Sequence, residues 1–196
     1  MLPTNTWKDT RTNNDIHLAF TGGESMRNQW AIIEIMNKLV ESDDFPLFVT
    51  IETNGTQPLS NDFKKMVLNL RECFDIEFSF SISPKLFHVT GELYEKTIKP
   101  EVVKSYQDIT TSELGETPTY LKIVVNSDER SWVDLKTAEN AFRDAGVTVP
   151  IWIMPVGATV EEQGETAGEL ATKAISMGYN VSARVHAYLW ANIVGV

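Results

Sequence analysis

The chain has 196 residues, 42% of them hydrophobic, with 27 acidic against 17 basic residues and a net charge of −10. That length and composition suit one globular domain with its own core, and the acidic balance argues against tight non-specific binding to nucleic acid, which needs basic surface to displace counterions. No apolar run reaches membrane-spanning length and no basic-then-apolar leader opens the sequence, so a cytoplasmic protein with no membrane partner is expected.

Residues 1–15 are polar and aperiodic, with Pro3, Asn5, Asn13 and Asn14, and read as an arm or loop ahead of a single domain at 16–196. Ile16–Thr21 has strand character and runs into Gly22-Gly23-Glu24. Met26, Trp30, Ile33, Met36 and Val40 then recur three or four apart, which predicts one helix over Ser25–Glu41. Leu47–Ile51 is a short β-rich run that leads into Glu52-Thr53-Asn54-Gly55-Thr56. Ser60 is a candidate cap for a helix with Phe63, Met66, Val67 and Leu70 inward. Cys73, the only cysteine, lies between Leu70 and Phe74 and reads as a small buried hydrophobe.

Ile76–Ile82 alternates as a strand does and stops at Ser83-Pro84-Lys85. Residues 86–99 have no clear period and read as loop with room for a helical turn. Pro100 suits the first position of a helix carrying Val102, Val103, Tyr106 and Ile109. Tyr120–Val125 is a strand, and Asp128–Ala145 a helix that turns Trp132, Leu135, Ala138 and Phe142 inward and ends at Gly146. Val149–Pro155 is the next strand. Thr159 and Glu162 form a capping box for a last helix with Leu170, Ala171, Ala174 and Ile175 buried, stopping at Gly178. Val181–Trp190 is a final strand-like run. Alternation of strands with helices predicts an α/β fold with a parallel sheet of six strands, the terminal one included.

Successive strands ending in polar residues describe a site on one rim of such a sheet. Thr21-Gly22-Gly23-Glu24, Glu52-Thr53-Asn54-Gly55-Thr56, Ser83-Pro84-Lys85 and Arg184-Val185-His186-Ala187-Tyr188-Leu189-Trp190 together resemble 7-carboxy-7-deazaguanine synthase, a radical S-adenosylmethionine family of the queuosine pathway. The resemblance runs from about Ile16 to the end, with Ser25 where the family usually has Pro. It implies a partial open (β/α) barrel of the radical S-adenosylmethionine type, here without the family's first strand and cluster loop. It also implies a lyase-type enzyme that converts 6-carboxy-tetrahydropterin to 7-carboxy-7-deazaguanine, with Mg²⁺ assisting.

By resemblance, Gly22, Gly23 and Glu24 receive the ammonium of S-adenosylmethionine, Glu52, Thr53 and Asn54 its ribose or carboxylate, and Ser83 and Lys85 a carboxylate of cofactor or substrate. Arg184 and His186, on one face of an extended strand, bind the pterin substrate. Met154-Pro155-Val156-Gly157 lies against adenine. The family's 4Fe-4S cluster needs three cysteine thiolates, and this sequence has only Cys73. The chain as it stands is therefore expected to be inactive, to bind S-adenosylmethionine weakly, and to offer no metal ligand. Two readings remain open: an N-terminally incomplete enzyme, or a cluster-free pterin or nucleoside binder. A homodimer is expected, with the open edge of the Ile16–Thr21 strand or the terminal run (Tyr188, Leu189, Trp190) near the interface.

Overall fold

The structure is a computed structural model that describes residues 6–157, 159–185 and 189. Strand β1 (Leu18–Phe20) leads through a 3-10 turn at Ser25–Asn28 into α1 (Gln29–Glu41). Then follow β2 (Phe48–Thr53), α2 (Asn61–Phe74), β3 (Glu77–Ile82) and two single-turn helices, α3 (Phe87–Thr90) and α4 (Tyr94–Thr97). The chain continues with α5 (Pro100–Thr110), β4 (Tyr120–Val125), α6 (Glu129–Asp144), β5 (Ile151–Pro155), α7 (Val160–Ser176) and β6 (Asn180–Val181).

All six strands are parallel and stand in the sheet in chain order, β1 to β6. Each step is a helical crossover, and crossovers of one hand put every helix on the same face of the sheet. The core lies there. Val49, Ile51, Phe78, Phe80, Leu121, Ile123, Val125, Ile151 and Ile153 of the strands pack against Phe63, Val67, Tyr106, Leu135 and Phe142 of the helices, all buried. The strand residues in between face away from the helices, as the two-residue period requires. Thr50 and Glu52, Ser79 and Ser81, Tyr120 and Lys122, and Trp152 and Met154 are such residues. A singly wound α/β sheet of this kind is compatible with a partial (β/α) barrel. No helix among the described residues is long and apolar enough to cross a membrane.

Local signals account for several helix starts. Ser60, Asp128 and Thr159 each cap a helix through the side chain, and Thr159 with Glu162 closes a full capping box. Several expectations change. The segment Ser25–Glu41 opens as a 3-10 turn, in which each residue turns about 20° more than in an α-helix. That rotates the buried stripe onto Met26, Ile32 and Met36 and leaves Trp30 68% exposed. Cys73 is exposed, because Phe74 takes the inward position and packs edge-on against Phe45. Ile175 is exposed at the end of α7, where the neighbouring β6 is only two residues long and offers little cover.

The terminal run is not one strand. Pairing stops at Val181, and residues 182–184 are irregular. His186, Tyr188 and Trp190 lie outside the described residues, as do residues 1–5 of the expected arm. The rest of that arm folds back on itself. Lys8 bridges to Asp15, Ile16 N–H donates to the Trp7 carbonyl, and Trp7 Nε1 donates to the Asp44 carbonyl at 3.1 Å.

Candidate functional site

The loops after β1, β2 and β3 all leave the C-terminal rim of the sheet, because the strands are parallel. The first loop turns on Gly22 (φ 92°) and Gly23 (φ 56°), conformations that a side chain makes costly. Glu24 then caps the 3-10 turn. Its Oε1 accepts from Met26 N–H at 3.1 Å and from the Thr53 hydroxyl at 2.6 Å, and its Oε2 accepts from Asn54 N–H at 2.7 Å. The carboxylate thus ties the first loop to the second.

In the second loop, Asn54 Oδ1 accepts from both the N–H and the hydroxyl of Thr56, a side-chain-closed turn. Gly55 has φ 78°, and a Cβ there would stand 2.7 Å from Ile82 Cγ2. The third loop is tied in by Ser83 N–H donating to the Thr53 carbonyl at 2.7 Å. Beneath them, Tyr106 donates to the Gln57 carbonyl and stacks on Phe80 with ring centres 4.3 Å apart. Burial holds its phenol well above the ordinary range, although a Thr53 hydrogen bond opposes this.

These loops enclose one side of a cavity of about 590 Å³. Of the residues singled out in the sequence, Gly22, Gly23, Glu52, Thr53, Asn54, Ser83, Lys85 and Arg184 line it, as does Met154. Glu24 does not line it; its bonds are to the loops themselves. Arg184 reaches the cavity from irregular backbone rather than from a strand, with Nε 3.3 Å from Met154 Sδ and Nη1 3.4 Å from the Gly157 carbonyl. The alternation that paired it with His186 does not reach it, since residues 182–184 are irregular.

The structure adds Lys122, Tyr120 and Ser81 to the wall. Lys122 Nζ lies 3.3 Å from Glu52 Oε1, while Thr21 Oγ1 donates to Glu52 Oε2 at 2.6 Å. Partial burial pushes the Glu52 carboxyl up, but the Thr21 hydroxyl and the Lys122 ammonium together outweigh it and hold it below its ordinary value. The signal for Lys122 was present in the strand pattern. Leu121, Ile123 and Val125 point to the core, so a lysine between them stands on the opposite face.

Among the described residues, three cations, Lys85, Lys122 and Arg184, line the cavity beside the single carboxylate of Glu52. Neither Lys85 nor Arg184 has a carboxylate partner among the described residues. The wall is therefore locally positive in a chain of net charge −10, which is the electrostatics of a site for an anionic ligand. An iron–sulfur cluster does not fit this donor set. Cys73 lies in the last turn of α2, and a helix that returns the chain to the start of the next strand ends at the opposite rim from the cavity. Comparison with family models, curated proteins and solved structures finds no match.

Proposed function

We infer that this cavity binds S-adenosylmethionine and a carboxylated pterin, the ligand pair of the radical S-adenosylmethionine enzymes that make 7-carboxy-7-deazaguanine. The observation that supports the reading is convergence: four motifs far apart in sequence contribute to one locally positive cavity at the C-terminal rim. Backbone carbonyls at Gly22-Gly23 accept from a ligand ammonium. Glu52 presents an acceptor and Asn54 its side-chain N–H donors to ribose hydroxyls, and Lys85 and Arg184 receive carboxylates. Glu24 acts one step back, by holding Asn54 against the first loop.

S-adenosylmethionine is the radical source in that chemistry, with a 4Fe-4S cluster as electron donor. The cluster has no ligand set here, so the roles assigned to these residues are binding and orientation. A second reading, a cluster-free binder of pterins or nucleosides, is favoured by the same single, distant cysteine. Calorimetry with S-adenosylmethionine and with 6-carboxypterin tests what the two readings share. Weak but saturable binding of both is expected, and failure of both to bind rejects the site assignment. Formation of 5′-deoxyadenosine after iron–sulfide reconstitution would reject the cluster-free reading. Its absence, with no bound iron and no brown absorbance, is expected of the chain alone.

A further inference from the structure

We propose that Ser81 is a ligand-binding residue on the floor of the cavity, beneath a Glu52–Lys122 bridge that a ligand carboxylate displaces. The inference rests on reading the cavity as an anion site and not on which anion it takes.

Ser81 is 1% exposed, and its hydroxyl has no hydrogen-bond partner among the described residues. Buried hydroxyls nearly always have one, so an orphan that lines a cavity points to a group the cavity receives. The neighbouring rung of the sheet shows the contrast. There Thr50 and Ser79, paired across β2 and β3, hydrogen-bond each other at 3.0 Å. One rung higher, Ser81 is registered with Glu52, but Glu52 bonds to Thr21 and Lys122 instead.

The bridge covers Ser81 by topology. Lys122 stands on β4 and Glu52 on β2, with β3 between them. Two strand spacings, about 9.6 Å, separate those strands, so the lysine reaches across the face of β3. Ser81 is the β3 residue registered with Glu52 on one side and Tyr120 on the other. At 3.3 Å the ammonium contact is longer than the usual charge-assisted bond of about 2.8 Å, and Glu52 keeps its Thr21 bond if Lys122 leaves. A ligand carboxylate replaces Glu52 on Lys122 like for like. The ligand's adjacent carbonyl or N–H then meets the Ser81 hydroxyl, which both donates and accepts.

The test places a thiol at the floor. In a Cys73→Ser background, which removes the exposed native thiol, Ser81→Cys is reacted with 2-carboxyethyl and with 2-aminoethyl methanethiosulfonate. Each rate is divided by that reagent's rate with free 2-mercaptoethanol. The carboxylate reagent is expected to be favoured at least tenfold, with the preference lost when Lys122→Met is added. Glu52→Gln serves as a second variant that frees the lysine without removing it, and should speed the carboxylate reagent further. Equal normalised rates, no reaction over hours, or a preference indifferent to both variants would each show a sealed structural hydroxyl and overturn the proposal. With the preference intact, protection by 6-carboxypterin extends the subsite to the pterin reading. Absence of protection then counts against that reading while the subsite stands.

Discussion

Glu24 accepts three hydrogen bonds from its own chain, two from backbone N–H groups and one from Thr53. Removing such a carboxylate uncaps the 3-10 turn and frees the second loop, so Glu24→Ala should cost about 2 kcal/mol in urea denaturation. A loss below about 0.5 kcal/mol, ordinary for a surface site, would place the residue outside the scaffold. Glu52 behaves differently. Its lowered pKa means that its contribution to stability is complete above the unfolded carboxyl value of about 4.3 and is lost as pH falls through the folded value. The group is half exposed, so that contribution is small. Its titration is still readable: Lys122→Met should raise the Glu52 midpoint in an NMR pH series, and an unmoved midpoint rejects the pairing.

At the level of elements, the rim loops are held by backbone geometry that tolerates few side chains. Gly55 combines positive φ with a Cβ position 2.7 Å from Ile82, while Gly22, also at positive φ, has open space around it. Gly55→Ala should therefore destabilise by more than about 2 kcal/mol, through strain plus overpacking. Gly22→Ala should cost about 1 kcal/mol, through backbone strain alone. Equal losses in thermal or chemical unfolding would contradict the contact geometry. The helices were legible where periodic apolar residues and caps agree, as in Glu129–Asp144 with Asp128 before it. They were less legible where a local 3-10 turn shifted the phase, as at Trp30, because a sequence period does not announce a change of helix type. The short helices at Phe87–Thr90 and Tyr94–Thr97 are too brief to leave a period at all.

For the whole molecule, the sequential parallel order leaves β1 paired only to β2 among the described residues. The folded-back arm pairs at Ile16, ahead of β1, and does not pair with Leu18–Phe20. An edge of this kind is a template for another strand, and a homodimer is expected. Sedimentation at micromolar concentration should give twice the chain mass of 22.0 kDa; a clean monomer rejects this.

The polar strand ends, the six-strand α/β plan and most candidate site residues were readable from the sequence, because period, caps and glycine turns are local consequences of local chemistry. Tertiary structure alone decided what those residues do to one another. Glu24 reads as a free acceptor in the chain, but folding turns it against Thr53 and Asn54, 29 and 30 residues away. Lys122 reads as one polar residue in a strand, but parallel pairing in chain order carries it across β3 to Glu52. The unpartnered Ser81 follows from that bridge. Pairing across strands depends on register, and register is set by the packing of the whole sheet against its helices rather than by any stretch of neighbouring residues.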